Sequence, residues 1–246
     1  MKITAIVPAA GLGKRFGPGK NKPFQILGGK PLIVWSLEIL VSVNEIVDVI
    51  PVFKAEDMEY GQNIIEEYNL SKIKRIAPGG KERQDSVYNG LKLIEDMESI
   101  VLIHDGVRPL IDKDLIENVI QELLIPPAPP PPEAEVKGGM GGLNGVDGVI
   151  LGVPVKDTIK EAEDGIIKST LKRSSLWAIQ TPQVFLYSSI LQAYDRAMNE
   201  GFYSTDDAAL VERNSGKIKV VMGSHKNIKI TTPEDLAIAE VLLRSK

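Results

Sequence analysis

The chain has 246 residues, of which 43% are hydrophobic and 25% are charged, and its formal net charge is −4. This composition is typical of a globular protein, and the lack of a basic excess argues against a non-specific nucleic-acid binder. Cysteine is absent and histidine occurs twice, which excludes disulfides and cysteine nucleophiles and disfavours a histidine-built metal centre.

No apolar run approaches the length that crosses a bilayer, and the first residues lack the charged start and long apolar stretch of a signal peptide. We therefore expect a cytoplasmic protein that has neither a membrane nor a nucleic acid as partner.

The first segment, 3–22, runs from an apolar strand into a loop of small residues and then basic ones. Its small residues let the backbone approach a polyanion, and its basic residues neutralise one; they are Ala9, Ala10, Gly11 and Gly13, followed by Lys14, Arg15, Lys20 and Lys22. Phe16 replaces the third glycine of a dinucleotide fingerprint, and no Walker motif follows. The loop suits a nucleoside triphosphate held by backbone N–H groups and fixed charges; the alternative is an ordinary turn with solvated lysines.

Short runs rich in Ile and Val then alternate with segments of helical period. The predicted strands are Ile3–Pro8, Ile46–Phe53, Ile73–Ala77, Ile100–His104 and Val149–Pro154. The predicted helices are Leu32–Val43, Glu56–Tyr68, Asp85–Met97 and Lys113–Leu124. This alternation predicts an α/β fold with a mostly parallel sheet, whose ligand lies beyond the carboxyl ends of the strands.

Two further loops carry charge at that edge. In the loop 78–86, PGGKERQDS, the glycines suit a base or a ribose, although Asp85 or Ser86 is equally suited to capping the next helix. In HDGVRP, Asp105 is the candidate Mg²⁺ ligand, because Mg²⁺ binds through one or two carboxylates plus substrate phosphates. The alternative is an Asp105–Arg108 salt bridge that closes the turn.

The segment 154–180 alternates in polarity around an Asp-Gly turn at Asp164–Gly165, which predicts a β-hairpin. Such an arm has little core of its own, so we expect a second subunit to cover it in a homodimer; the alternative is an edge hairpin folded back on its own sheet. Further along, NIKITTPEDL predicts a short strand and then a helix capped by Thr232, with Pro233 at its first position.

Eight motifs occur in order: PAAGLGKR, NKPF, GGKERQDSV, HDGVRP, PVKDTIK, LWAIQTPQVF, TDDAALVE and NIKITTPEDLAIAE. Together they resemble the 2-C-methyl-D-erythritol 4-phosphate cytidylyltransferases of the non-mevalonate isoprenoid pathway. The resemblance spans the whole chain, 1–246, as a single cytidylyltransferase domain, except for a Pro/Gly-rich insert at 126–147 that we expect to be a surface loop. It implies a nucleotidyltransferase-type Rossmann-like fold, Mg²⁺ as cofactor, a homodimer with exchanged arms, and formation of CDP-methylerythritol and pyrophosphate from CTP.

The resemblance also implies the catalytic residues. Arg15 and Lys22 match the basic residues that hold the triphosphate, and Lys229 matches the lysine near the α-phosphate. The usual Pro-Lys-Gln context is altered at Lys22, which precedes Pro23, so Lys20 stays an alternative. Asp105 matches the residue that meets the metal.

Binding residues follow in the same way. The matches to the nucleotide pocket are Ala9, Ala10, Gly11, Gly13, Gly80, Arg83 and Ser86. The matches to the residues that bind the polyol phosphate are Arg108, Thr158, Arg173 and Thr181, some of them donated across the dimer.

Two other functions stay open at this point. A ribitol 5-phosphate cytidylyltransferase shares the loops and the mechanism and differs mainly around the arm. A non-catalytic nucleotide-binding scaffold is the second, which the intact basic residues and Asp105 disfavour.

Overall fold

The structure is a computed structural model, and it describes residues 1–11, 16, 21–126 and 145–245. Across these residues, seven strands form one twisted sheet in the order β11-β7-β10-β6-β1-β4-β5, and two pairs of short strands, β2-β3 and β8-β9, stand apart. The strands are β1 Ile3–Pro8, β2 Ile26–Leu27, β3 Lys30–Pro31, β4 Ile46–Phe53, β5 Ala77–Pro78, β6 Ile100–Ile103, β7 Gly148–Pro154, β8 Lys160–Glu163, β9 Ile166–Thr170, β10 Trp177–Leu186 and β11 Ile218–Met222. The helices are α1 Leu32–Ser42, α2 Met58–Glu67, α3 Arg83–Leu91, α4 Lys113–Leu124, α5 Tyr187–Asn199, α6 Asp207–Arg213 and α7 Pro233–Arg244.

The main sheet is buried on both faces, which explains why its strands read as continuous apolar runs. Along β1, Ala5 and Val7 pack against α1, α2 and α4, whereas Ile6 packs on the opposite face with α3, α5 and α6. The result is three layers, with helices on both sides of the sheet. None of the described helices combines the length and the apolar character that a membrane span requires.

The predicted strands at β1 and β4 and the predicted helix at α4 are confirmed to the residue. The predicted strand Ile73–Ala77 is wrong over most of its length, because only Ala77 and Pro78 pair with β4. Ile73 is buried without joining a ladder, so its apolar pattern reflects core packing. The helix predicted over Asp85–Met97 ends at Leu91, where the hydroxyl of Tyr187 lies 3.0 Å from the Leu91 carbonyl oxygen.

The strand β10 is the antiparallel member of this otherwise parallel sheet. It lies between β6 and β7 and runs against both of them, while β1 is parallel to β4 and β6 and β11 is parallel to β7. The fold class is therefore confirmed as a mostly parallel α/β sheet. The sequence analysis did not assign β10, α5, α6 or β11.

The hairpin predicted around Asp164–Gly165 is confirmed as β8 and β9. Both turn residues have positive φ, 52° and 78°, which is the geometry of an Asp-Gly turn. The residues of both strands are largely exposed, and Ile166 and Ile167 are 73% and 60% exposed. The alternative of a hairpin folded back on the main sheet is not what this chain adopts.

The C-terminal helix begins as predicted. Thr232 Oγ1 accepts a hydrogen bond from the Asp235 N–H, and the Asp235 carboxylate accepts one from the Thr232 N–H, with Pro233 at the first helical position. The strand predicted just before it is wrong, because residues 227–230 are irregular. They contact the loop that follows β6 through the Ile230 N–H, which donates to the Val107 carbonyl at 2.9 Å.

Candidate active site

A cavity of about 710 Å³ opens beyond the carboxyl ends of β1, β4 and β6. Its walls come from the loops that follow these strands, from the loop before α3 and from the segment before α7. The residues that line it are Pro8, Ala9, Ala10, Gly11, Lys22, Pro23, Lys54, Ala55, Glu56, Gly79, Gly80, Lys81, Glu82, Arg83, Ser86, Asp105, Val107, Lys229 and Thr231. Residues far apart in the chain thus converge where the sheet topology brings strand ends together.

The loop before α3 packs tightly against the first loop. The Ala9 N–H donates to the Val52 carbonyl at 2.9 Å and the Gly79 N–H donates to the Phe53 carbonyl at 2.6 Å. A Cβ on Gly79 would lie 2.3 Å from the Ala10 Cβ, so only glycine allows this approach.

The start of α3 is capped by its own loop. The Glu82 N–H donates to Asp85 Oδ2 at 2.8 Å, and Ser86 Oγ accepts from the Gly80 N–H at 3.1 Å. The capping role that the sequence left open for Asp85 is therefore present. Ser86, at 2% exposure, lines the cavity and fixes the shape of the loop through its hydrogen bond with the Gly80 N–H.

Asp105 is the carboxylate around which the basic side chains of the site gather. Its Oδ2 lies 2.7 Å from Lys229 Nζ and its Oδ1 accepts from Arg83 Nε at 3.1 Å. Arg108 Nε is 3.9 Å from Oδ2, so the Asp105–Arg108 pair proposed for the turn exists but is the longest of the three. One buried carboxylate is thus surrounded by three cations from three segments.

Burial alone would raise the pKa of Asp105, but the charges of Arg83, Lys229 and Arg108 outweigh it and hold that pKa well below its usual range. Asp105 is therefore ionised at neutral pH. Burial lowers the pKa of Arg108, and the Arg83 charge adds to this, while Asp105 opposes it.

A buried layer lies directly beneath Asp105. Thr181 Oγ1 accepts from the Asp105 N–H at 3.0 Å and lies 3.2 Å from His104 Nδ1. Burial lowers the pKa of His104 to about 4, so the imidazole is neutral at pH 7 and supports the loop. The Asn227 amide donates to the Thr181 carbonyl at 2.9 Å, which ties the segment that carries Lys229 to β10.

Arg83 reaches a second carboxylate, which the sequence analysis did not assign to the site. Its NH1 and NH2 donate to Asp207 Oδ1 and Oδ2 at 2.9 and 2.7 Å, and Asp207 is fully buried. Burial would lower the pKa of Arg83, but Asp207 and Asp105 raise it well above its ordinary value. The motif TDDAALVE contains Asp207, but nothing in the sequence indicates a partner 124 residues away.

Comparison with known proteins matches this architecture to one family. The sequence model described as 2-C-methyl-D-erythritol 4-phosphate cytidylyltransferase (IspD) matches residues 3–128 and 136–245. The chain belongs to this cytidylyltransferase family. The internal residues left out of the match, 129–135, fall inside the range that the sequence analysis assigned to an insert.

Individual members of the cytidylyltransferase family are similar over their whole length. The protein of that name from Geotalea uraniireducens is 41% identical over 100% of this chain and 98% of its own, and the one from Clostridioides difficile is 43% identical over 98% and 93%. Among solved structures, the 4-diphosphocytidyl-2C-methyl-D-erythritol synthase from Anaerococcus prevotii superposes with a TM-score of 0.80 at 31% identity, covering 99% and 96% of the two chains. This chain is therefore a nucleotidyltransferase of the α/β class.

The catalytic residues that the cytidylyltransferase motifs imply fall in two groups. Lys22 and Lys229 both line the cavity. Lys22 starts a short 3₁₀ turn, Lys22–Phe24, that is fixed by a 2.6 Å hydrogen bond from Asn21 Nδ2 to Asp57 Oδ2. Arg15 lies outside the described residues, as do Gly13, the alternative Lys20, and 127–144 of the predicted insert.

The binding residues that the motifs imply lie in three different places: on the cavity wall, beneath it and on the arm. Ala9, Ala10, Gly11, Gly80, Arg83 and Ser86 line the cavity. Arg108 and Thr181 lie beneath it, at 8% and 5% exposure. Thr158 and Arg173 lie on the arm, where Arg173 NH1 donates to the Lys156 carbonyl at 3.0 Å, and neither lines the cavity of its own chain.

The donor set can be tested against a magnesium ion. Asp105 offers an ionised carboxylate on the cavity wall, whereas no group of three acidic or histidine side chains suited to a metal occurs within the described residues. These residues fit a Mg²⁺ that takes one protein carboxylate and completes its shell with phosphate oxygens and water. They do not form an all-protein cage.

Proposed function

We propose that the chain transfers CMP from CTP to 2-C-methyl-D-erythritol 4-phosphate and releases pyrophosphate. The observation that carries this proposal is that Lys22, Lys229 and the ionised Asp105 line one cavity together with the small-residue loop Ala9–Gly11. Membership of the cytidylyltransferase family supplies the identity of both substrates.

The chemistry requires little from the protein beyond position and charge. An oxygen of the methylerythritol phosphate attacks the α-phosphorus of CTP, the new P–O–P bond forms, and the bond to the β-phosphate oxygen breaks so that pyrophosphate leaves with its electron pair. The attacking phosphate is already a nucleophile, so no general base is required. Lys22, Lys229 and Arg15 neutralise the charge that gathers on the transferring phosphoryl group.

Magnesium belongs to this proposal as a cofactor held by Asp105. When bound, Mg²⁺ neutralises the triphosphate and orients it. The residues of the chain have two tasks in this binding. Arg83 and Lys229 keep Asp105 ionised, and the Thr181 hydroxyl holds the loop that carries Asp105.

A homodimer with exchanged arms is the second part of the proposal. Thr158 and Arg173 are on a hairpin that leaves Ile166 and Ile167 exposed, and burial of these two side chains favours a second subunit over solvent. The arm then delivers Arg173 to the polyol phosphate in the site of the neighbouring subunit. We also propose a cytoplasmic location, on the chain's ordinary mix of apolar and charged residues.

The experiment is pyrophosphate release with CTP and Mg²⁺, supplying methylerythritol 4-phosphate and ribitol 5-phosphate in parallel. Release with methylerythritol phosphate alone supports the proposal, and release with ribitol phosphate alone overturns the acceptor. Absence of release with both acceptors, at a protein concentration where CTP binding is measurable, overturns catalysis in favour of a nucleotide-binding scaffold. Asp105→Asn is the matched control, since it keeps the shape of the side chain and removes its charge.

A further inference from the structure

The contacts of Arg83 raise the question of which task this side chain performs. A guanidinium has five N–H donors in a rigid fork, and three of them are directed at carboxylates: Nε at Asp105, and NH1 and NH2 at Asp207. Both carboxylates take hydrogen bonds from the same guanidinium, and Asp207 accepts two of the three. Arg83 therefore connects Asp105 to Asp207, and two of its five N–H groups are left for other partners.

Asp207 is held in place independently of the cavity. It is the first residue of α6, whose N-cap Asp206 accepts from the Ala209 N–H at 3.1 Å. The side chain of Gln183 on β10 donates to Asp206 Oδ2 at 3.0 Å and accepts from the Ala208 N–H at 3.1 Å. The start of α6 is therefore fixed to the main sheet, and with it the position of the Asp207 carboxylate.

Tyr194 on α5 is the third residue that holds the Asp207 carboxylate, after Arg83 and the start of α6. Its hydroxyl donates to Asp207 Oδ1, and its ring, 1% exposed, stacks on Tyr88 with the ring centroids 6.0 Å apart. The bidentate contact to Arg83 together with the Tyr194 hydrogen bond leaves the Asp207 carboxylate little freedom to rotate.

We propose that Asp207 and Tyr194 are positioning residues, which act through Arg83 to hold Oδ1 of Asp105 and so direct its Oδ2 at Lys229 and the cavity. This inference rests on the proposed function. Asp207 and Tyr194 do not line the cavity, so they influence the reaction only through the geometry of Arg83 and Asp105. The competing explanation is a plain structural ion pair, which affects folding but not the transition state.

The chain offers a matched pair of tyrosines for the test. Tyr194→Phe removes the hydroxyl that holds Asp207. Tyr88→Phe removes a hydroxyl from the stacked ring beside it, which donates to Asp195 at 2.6 Å and does not touch Asp207. Both variants keep their rings, so their effects on packing are comparable. Asp207→Asn is the stronger variant, and Tyr194→Phe keeps the test decisive if Asp207→Asn fails to fold.

Steady-state kinetics provide the first readout. We expect Tyr194→Phe to lower kcat about tenfold and Asp207→Asn about a hundredfold, with the KM for CTP changed less than about twofold and Tyr88→Phe close to wild type. Equal kcat values for Tyr194→Phe and Tyr88→Phe would overturn the proposal, as would a loss in Asp207→Asn that merely follows the fraction folded.

The second readout needs no turnover. The NMR signal of the Arg83 Nε–H, assigned by its absence in Arg83→Lys, reports the hydrogen bond to Asp105 Oδ1. Asp207 does not contact this Nε, yet we expect Asp207→Asn to accelerate the hydrogen exchange of the Nε–H at least about tenfold, because exchange occurs from the open conformation and its rate follows the population of that conformation. Unchanged exchange refutes the positioning. If the wild type proves inactive, the proposed function falls, while this measurement still decides whether Asp207 holds Arg83 against Asp105.

Discussion

His104 gives the sharpest quantitative prediction of this structure. It is fully buried beneath Asp105, with Nδ1 3.2 Å from the Thr181 hydroxyl oxygen and Nε2 3.3 Å from the Arg108 carbonyl oxygen. Burial lowers its pKa from 6.5 to about 4. The folded protein therefore resists protonation of an imidazole that the unfolded chain protonates readily.

The sign and size of the effect follow from this difference. Between pH 6.5 and 4 the unfolded chain binds more protons than the folded one, so the free energy of unfolding falls as the pH falls. With a folded pKa of about 4, His104 makes the protein about 2 kcal/mol less stable at pH 5 than at pH 7. The contribution of His104 to the free energy of unfolding is fully lost only below pH 4.

Urea unfolding at pH 7 and pH 5 measures this loss. His104→Gln should lose about 2 kcal/mol less than wild type between the two pH values, whatever its stability at pH 7. His225→Gln, which removes the only other histidine of the chain from an exposed position, is the control and should follow wild type. Equal losses in wild type and His104→Gln, or an NMR titration of His104 near pH 6.5, would refute the reasoning.

Three further predictions concern catalysis. Lys229→Met should lower kcat about a hundredfold but lower Tm only about 2–4 °C, because the Lys229 side chain is 38% exposed and Arg83 and Arg108 still pair with Asp105. Lys226→Met, at an exposed position of the same loop, is the control, and equal kcat values in the two variants would show that Lys229 does not act in the reaction. Lys22→Ala should also lower kcat at least about a hundredfold while CTP binding weakens far less; a change in KM alone would contradict its assignment. Subunits carrying Lys229→Met and Arg173→Ala, each inactive alone, should regain activity when mixed, and verified mixed dimers without activity would show that Arg173 serves its own chain.

How far the sequence predicts the fold depends on how local each signal is. The strand Ile46–Phe53 and the hairpin turn at Asp164–Gly165 were predicted correctly, because β-branched runs and an Asp-Gly pair act within a few residues. The strand predicted over Ile73–Ala77 was wrong, since an apolar pattern records burial and not which ladder a segment joins. The antiparallel β10 was not predicted, because its neighbours are fixed only by the packing of the whole sheet.

The candidate site shows the same division. The order of motifs identified the family, and the rule that ligands lie beyond parallel strand ends predicted that Asp105 and the first loop would share a cavity, as they do. Lys229 joined them through a segment that is not the predicted strand. Motifs alone assigned Arg83 to the nucleotide, whereas its contacts are with two carboxylates.

The sequence by itself thus determined the α/β class, the family and the hairpin, since these depend on residue types and short spacings. Only the tertiary structure decided that Arg83 joins Asp105 to Asp207, which lies 124 residues from Arg83, and that His104 and Thr181 lie beneath the site. The reason is physical: a hydrogen bond between distant residues depends on where whole helices and strands pack, and no local preference encodes that position.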